Sequence, residues 1–257
     1  MKIGASTSCL FPMLTERAFF RLLGLNVENI EVFFNSPSER NAEFAKNLRA
    51  AADEAGAKIV SAHPYTSEME GVSFFGSYPR RFDDEADDYC RYFEACNILG
   101  ADIFVFHGAR SFLKLENEFY FERFERLSEV AKRFGIKLCQ ENVSRCHSGS
   151  LEFISAMKKA LPQTQFVLDV KQAKRAKTEP VDMLKAMGEN LAHVHISDNS
   201  ADCDCLALGK GTFDLCGFMN ELKAINYDGA VIQELYSWNF SDEADLSNGI
   251  KLISDYI

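Results

Sequence analysis

Short apolar runs with the composition of β-strands alternate with helical segments eight times along this sequence. The runs begin at Lys2, Asn29, Ala57, Asp102, Ile136, Gln165, Leu191 and Gly229. Apolar residues at helical spacing lie between them, as at 37–55, 83–99, 118–134 and 151–160, and glycines that end helices follow several of these segments. Strands that alternate with helices form parallel sheets covered by helices.

Eight such units in 257 residues predict a single closed (β/α)8 TIM barrel over residues 1–257. The alternative is an open, doubly wound sheet. It is disfavoured because no G-x-G-x-x-G follows the first strand and because polar residues stand at the ends of many strands. The longest connection, 64–82, follows the third strand on the face where barrel active sites form. It is interpreted either as a lid or as a helical decoration that packs Phe74 and Phe75.

Charge and composition exclude several classes of protein. A formal net charge of −10 disfavours binding to nucleic acid, because that affinity comes largely from Lys and Arg. The eight cysteines are expected to be reduced thiols, since the chain is long and begins without a secretory segment. No apolar stretch of 18 residues occurs, so we expect a cytoplasmic protein without a membrane partner. A homo-oligomer is compatible with the sequence.

Ionisable side chains stand at the ends of six of the eight predicted strands. They are His63, His107, Glu141, Asp169, His195 and Glu234. His193 and His195 alternate on the seventh strand and therefore share a face. Polar residues can end barrel strands simply because the chain emerges into water there. Three carboxylates at one mouth would repel one another, however, and this favours a metal site.

Three carboxylates and an imidazole suit one divalent ion, which could be Mn²⁺, Mg²⁺, Co²⁺ or Zn²⁺. Such an ion can bind two neighbouring substrate oxygens and stabilise the enediolate that forms when a proton leaves the carbon beside a carbonyl. The expected partner is therefore a small polyhydroxy carbonyl compound.

The same residues resemble the xylose isomerase-like TIM barrels of the AP endonuclease 2-like superfamily. This sugar phosphate isomerase/epimerase group also contains ketose 3-epimerases, hydroxypyruvate isomerase, inosose and 3-dehydroshikimate dehydratases and apurinic endonucleases. The resemblance covers essentially the whole chain. Its motifs are SAH at His63, FH at His107, QEN at Glu141, LD at Asp169, HVHISD at His195 and Asp198, LGKGTFD in the following loop, and QE at Glu234.

This resemblance implies a set of roles for the residues at the mouth. The implied metal ligands are Glu141, Asp169, His195 and Glu234. Glu141 and Glu234 would also be the catalytic acid and base on opposite faces of the substrate, because a glutamate ligand keeps one oxygen free for a proton. His63 and His107 would contact substrate hydroxyls or polarise the carbonyl group.

Further substrate contacts are predicted at Gln172, Lys171 and Trp238. Gln172 stands where many members carry a histidine, and it can hydrogen-bond a hydroxyl or a phosphate without carrying charge. Lys171 suits a phosphate or carboxylate of the substrate, with the start of a solvated basic helix as the alternative. Trp238 could stack on a sugar or serve only in packing.

Other residues are assigned to supporting or loop positions. Glu31 and Asn142 could orient ligands, and Asp198 belongs behind the metal ligands or in the loop turn. Cys203 and Cys205 stand where the endonucleases carry an Asp-x-His element, which disfavours their trinuclear zinc cluster.

We therefore predict a divalent-metal-dependent sugar or sugar phosphate isomerase/epimerase of carbohydrate metabolism. It would act by proton transfer through a metal-bound enediolate. The alternatives are a metal-dependent dehydratase of a cyclic polyol such as inosose or 3-dehydroshikimate, an endonuclease-like phosphodiester hydrolase, and a non-enzymatic carbohydrate-binding barrel.

Overall fold

The computed structural model describes residues 1–65 and 67–256, which contain eight parallel strands. The strands are β1 (Lys2–Ser6), β2 (Asn29–Phe34), β3 (Lys58–Pro64), β4 (Ile103–Phe106), β5 (Lys137–Glu141), β6 (Gln165–Asp169), β7 (Leu191–Ile196) and β8 (Ala230–Gln233). Each strand pairs with the next, and β1 pairs with β8. The sheet therefore closes, and the predicted (β/α)8 barrel is confirmed.

Helices follow the strands and cover the outside of the barrel. They are α1 (Thr15–Gly24), α2 (Ala42–Ala55), α3 (Glu68–Phe75), α4 (Pro79–Leu99), α5 (Asn117–Lys132), α6 (Leu151–Ala160), α7 (Val170–Arg175), α8 (Pro180–Met187), α9 (Leu215–Ala224) and α10 (Ala244–Ser254). None of these helices, taken from the described ranges, has the length and apolarity needed to cross a membrane.

Local chemistry at the helix ends explains where the predicted bounds were wrong. The segment predicted as a helix over 37–55 begins with a 3-10 turn, and α2 starts only after Asn41, whose side chain accepts the Phe44 N–H. The helix predicted from residue 83 begins at Pro79, because proline is favoured in the first helical turn. Gly56 and Gly100 end α2 and α4 with φ of 71° and 78°, as predicted for left-handed caps.

Alternation along the strands places an apolar layer beneath the polar mouth. Ile103, Val105, Cys139 and Val167 form a buried cluster of their own inside the barrel. Because side chains on one face of a strand recur every second residue, Glu141 lies above Cys139 and Asp169 above Val167. The barrel interior is therefore packed with apolar side chains beneath the ionisable residues at its carboxyl end.

The long insertion after β3 contains helix α3 and is a packed decoration of the barrel, as one of its two interpretations predicted. Phe74 is 1% exposed and makes edge contacts with Phe82, Tyr89 and Phe106 at ring-centroid distances of 4.8–5.7 Å. Residue 66 of this insertion lies outside the described residues, and a lid function stays a prediction.

Candidate metal centre and active site

Four side chains from neighbouring strands converge at the mouth of the barrel. One ligand atom from each of Glu141, Asp169, His195 and Glu234 lies within 4.8 Å of all the others. Glu141 and Asp169 close β5 and β6, His195 lies on β7, and Glu234 follows β8 directly. None of the four is more than 9% exposed. Three carboxylates crowded this closely, with one imidazole, are a donor set that fits a divalent ion.

Glu31 on β2 fixes the orientation of His195 from the opposite side of the barrel. Its Oε2 atom lies 2.9 Å from His195 Nε2 and 3.0 Å from His193 Nε2, and it accepts the Ser61 hydroxyl at 2.8 Å. Because Nε2 is engaged, His195 directs Nδ1 toward the carboxylates, 3.4 Å from Glu141 Oε1. A carboxylate behind a histidine ligand is the usual way in which such a ligand is oriented.

Glu31 and His195 each stabilise the charged form of the other, although both side chains are completely buried. Burial disfavours the imidazolium, yet the negative charges of Glu31 and Glu234 hold the pKa of His195 well above its ordinary value. Burial likewise opposes the Glu31 carboxylate, but His195 and His193 hold the pKa of Glu31 well below its ordinary value.

The two carboxylate oxygens of Asp169 have different contacts. Its Oδ1 caps α7 by accepting the Gln172 N–H at 3.0 Å. The Asn142 side chain accepts the Asp169 N–H at 2.7 Å and donates to its carbonyl at 3.1 Å, which fixes the end of β6. Oδ2 is buried and forms an ion pair with the Lys171 ammonium at 2.9 Å. Burial raises the pKa of Asp169 to about 7, with Lys171 opposing the rise and Glu234 adding to it.

Each of the two glutamates turns one oxygen inward and the other outward. Glu141 lies 3.4 Å from His195 Nδ1 through Oε1 and 3.6 Å from His107 Nε2 through Oε2. Glu234 lies 3.7 Å from His195 Nδ1 through Oε2 and 3.8 Å from His63 Nε2 through Oε1. Both carboxyl groups can therefore serve a central cation and a substrate at once.

The pKa of each glutamate lies below its ordinary value in this setting. Burial raises the pKa of Glu141, but the His195 hydrogen bond and the charge of His107 lower it to about 2. Burial also opposes ionisation of Glu234, yet the positive charges of Lys171 and His195 hold its pKa well below the usual range. The two carboxyl groups are therefore ionised at neutral pH.

The pKa values of the two outer histidines are shifted in opposite directions. His63 donates through Nδ1 to the Pro64 carbonyl at 2.7 Å, because a carbonyl can only accept, and Nε2 is then the free acceptor. Burial and the charge of His107 lower the pKa of His63. Burial acts the same way on His107, but Glu70 of α3, 3.7 Å away, raises its pKa. The two neighbouring imidazoles therefore have pKa values shifted in opposite directions.

Lys171, which was predicted as a substrate contact at the mouth, lies inside the carboxylate cluster itself. Its side chain is buried, with Nζ 2.5 Å from Glu234 Oε2 and 2.9 Å from Asp169 Oδ2. These neighbours hold the pKa of Lys171 well above its ordinary value in spite of burial. The alternative interpretation as a solvated helix start is wrong, because the first turn of α7 points inward. Its position two residues after Asp169, in the helix that Asp169 caps, was the only available signal.

A cavity of about 490 Å³ opens above these residues. The lining includes His63, His107, Glu141, Lys171, Gln172, Glu234 and Trp238. Gln172 accepts hydrogen bonds from the N–H and hydroxyl groups of Ser144 at 3.1 and 2.8 Å. Trp238 is 72% exposed and stacks on Tyr236 with ring centroids 4.7 Å apart. The predicted substrate-contacting residues therefore share one cavity of a size that suits a small molecule.

The loop after β7 is built around Asp198. This carboxylate accepts the N–H groups of Asn199, Gly209, Gly211 and Phe213 at 2.8–2.9 Å, so it holds the loop turn. In the same loop, the Cys203 thiol donates to the carbonyl of residue 205. No candidate metal cluster found within 1–65 and 67–256 includes either loop cysteine.

Comparison with protein families identifies the family of this chain. A family model described as the xylose isomerase-like TIM barrel matches residues 22–256. The chain belongs to this family. No curated protein matches the sequence of this chain.

Several solved structures share the fold of this xylose isomerase-like barrel. A D-tagatose 3-epimerase-like protein superposes with a TM-score of 0.82 at 19% identity, over 100% of this chain and 97% of the other. The apo form of 3-keto-D-glucoside 4-epimerase from E. coli has a TM-score of 0.77 at 19% identity, over 99% of each chain. D-Psicose 3-epimerase from Clostridium cellulolyticum H10, solved with D-tagatose, has a TM-score of 0.78 at 16% identity, over 100% and 98%.

Proposed function

We propose that this protein is a sugar isomerase or epimerase whose site holds one divalent ion. The observation that carries the proposal is the division of Glu141 and Glu234 between an inner oxygen beside His195 and an outer oxygen beside a cavity histidine. Glu141, Asp169, His195 and Glu234 would hold the ion. When bound, the ion polarises adjacent carbonyl and hydroxyl oxygens and so acidifies the neighbouring C–H bond.

The two glutamates supply the proton transfers. They come from β5 and from the end of β8, so they approach the cavity from separate strands. One ionised carboxylate removes the proton from the carbon beside the carbonyl, and an enediolate results. The other carboxyl group, or the same one, returns a proton to a carbon of that intermediate. Return from the opposite face inverts the centre, and return to the neighbouring carbon isomerises the sugar.

The histidines and the rim residues position the substrate. His63, whose Nδ1 donates to the Pro64 carbonyl and whose pKa is lowered, offers Nε2 as an acceptor to a substrate hydroxyl. His107, whose pKa is raised, donates to an oxygen that gains negative charge. Trp238 offers a flat apolar face at the rim, and Gln172 a polar side chain in the cavity wall. These features suit small polyhydroxy carbonyl compounds. Two structural neighbours are named for D-tagatose and D-psicose, so these ketoses are the first substrates to test.

Solvent isotope exchange tests the proposal directly. The Mn²⁺-loaded protein is incubated in D₂O with each ketose, and ¹H NMR measures loss of the proton beside the carbonyl. We expect catalysed exchange and a new epimer or isomer. Glu141→Gln and Glu234→Gln should each reduce exchange about 100- to 10,000-fold, the usual contribution of a positioned acid or base. Glu54→Gln, at an exposed position on α2, is the matched control and should keep full activity.

Two results would contradict the proposal. Exchange that survives in both glutamine variants would show that these carboxylates move no proton. Release of water with growth of enone absorbance would assign the site to the dehydratase alternative instead.

A further inference from the structure

Lys171 places a permanent positive charge between two of the candidate metal ligands. Its ammonium lies 2.5 Å from Glu234 Oε2 and 2.9 Å from Asp169 Oδ2, and the side chain is buried. The Asp169 atom involved is the oxygen left over after Oδ1 caps α7. Lys171 therefore contacts the oxygens that a divalent ion would need.

The backbone fixes this placement. Asp169 ends β6 and caps α7, and Lys171 stands in the first turn of that helix. The lysine consequently enters the site from the same short segment that supplies the ligand. Burial of an ammonium is costly unless it is paired, and its two carboxylate partners supply that pairing.

An ammonium and a divalent ion cannot both occupy these two oxygens. A divalent ion binds carboxylate oxygens at about 2.0–2.2 Å, so it would stand within about 5 Å of Nζ even from the far side of the carboxylates. Two like charges that close repel strongly in a buried site. The ring of Tyr236, 5.3 Å from Nζ, offers a neighbouring place for the displaced ammonium.

We infer that Lys171 is a resident cation of the site, which a divalent ion must displace from Asp169 and Glu234. The ion then binds more weakly than it would bind the same four ligands in a site without Lys171. In the metal-free site, Lys171 stays paired with the carboxylates of Asp169 and Glu234. This inference rests on the proposed function for the identity of the metal ligands.

Metal affinity in matched lysine variants tests the inference. The full chain is stripped with EDTA and titrated with Mn²⁺ by calorimetry. Lys171→Met keeps the side-chain volume and removes the charge, so we expect its Kd for Mn²⁺ to fall at least tenfold below the wild-type value. Lys174→Met removes an exposed charge from the same helix and should leave the Kd unchanged. Lys171→Gln, which keeps a hydrogen-bond donor, serves if Lys171→Met does not fold without metal.

The outcomes separate this inference from the proposed function. Wild-type Kd values in the Lys171 variants would overturn the competition, while the metal site and its isotope exchange would stand. Tighter Mn²⁺ binding without any exchange on the ketoses would keep the competition and overturn the proposed activity. If neither the wild type nor any variant binds Mn²⁺, the inference is overturned, because it requires that these residues bind a divalent ion.

Discussion

Replacement of Glu31 by Gln is the sharpest test of how this site is held together. Glu31 is fully buried, and one of its oxygens contacts His193, His195 and Ser61 at 2.8–3.0 Å. The substitution preserves size and one hydrogen-bond acceptor but removes the negative charge that faces the imidazolium of His195. It therefore isolates the electrostatic part of the interaction.

The expected cost follows from the burial and the distance. At 2.9 Å and an effective dielectric constant near 20, the gross attraction of a charge pair is about 6 kcal/mol, and removal of one partner from a buried pair costs about 3–5 kcal/mol. Loss of the carboxylate behind a histidine ligand weakens metal binding about 10- to 100-fold. Glu31→Gln should therefore lower both the free energy of unfolding of the metal-free protein and the affinity for Mn²⁺.

The loss should depend on pH in a defined direction. The pKa of Glu31 is lowered from 4.5, so its contribution is present above that value and is lost as the pH falls. The pKa of His195 is raised from 6.5, so its contribution is complete below that value and declines as the pH rises toward the folded pKa. The difference between wild type and variant should be largest from about pH 5 to pH 6.5 and shrink at alkaline pH.

Urea denaturation of the metal-free proteins at pH 5.5, 7.0 and 8.5 measures this difference. Ser61→Ala is the matched control, because it removes a hydrogen bond from an uncharged donor to the same oxygen and should cost about 1.5–3 kcal/mol, equally at all three pH values. A loss in Glu31→Gln that is equally large at all three pH values would refute the charged pair and with it the assigned orientation of His195.

Three further predictions concern packing, the cavity rim and the thiols. Phe74→Ala should lower the free energy of unfolding, measured with denaturant, by about 3–5 kcal/mol, because a fully buried ring is lost. Met69→Ala, at a 61% exposed position, should change the same free energy by less than about 0.5 kcal/mol. Trp238→Ala should leave stability within about 0.5 kcal/mol and raise KM for a ketose, and an unchanged KM in steady-state assays would remove it from the substrate site. Mass-spectrometric labelling at pH 8 should modify exposed Cys216 first, whereas Cys9, whose pKa burial raises to about 12, should react only on unfolding; early labelling of Cys9 would contradict its burial.

The barrel and the convergence of its strand ends could be read from the sequence because both follow local rules. Strand period and helix spacing located the elements, and parallel strands bring their carboxyl ends to one mouth. Glu141, Asp169, His195 and Glu234 were therefore predicted together, and the structure places them together. Their roles as ligands and bases remain the proposals that the experiments above test.

The supporting contacts could not be predicted, because they depend on distances across the barrel. Glu31 meets His195 across 164 residues of chain, and β2 and β7 are not neighbours in the sheet. The first turn of α7 brings Lys171 against Asp169 and Glu234, whereas the sequence predicted it only as a substrate contact. Glu70 accepts the Gly108 N–H from an insertion that was interpreted as a lid or a packed decoration, with no predicted contact to the strand ends.

Anomalous diffraction from crystals loaded with Mn²⁺ tests the central claim most directly. We predict one Mn²⁺ per chain, bound by oxygens of Glu141, Asp169 and Glu234 and by Nδ1 of His195, with the Lys171 ammonium moved away from Asp169. Mn²⁺ bound elsewhere at saturating concentration, with Lys171 still between its two carboxylates, would contradict the claim that this mouth is a metal centre.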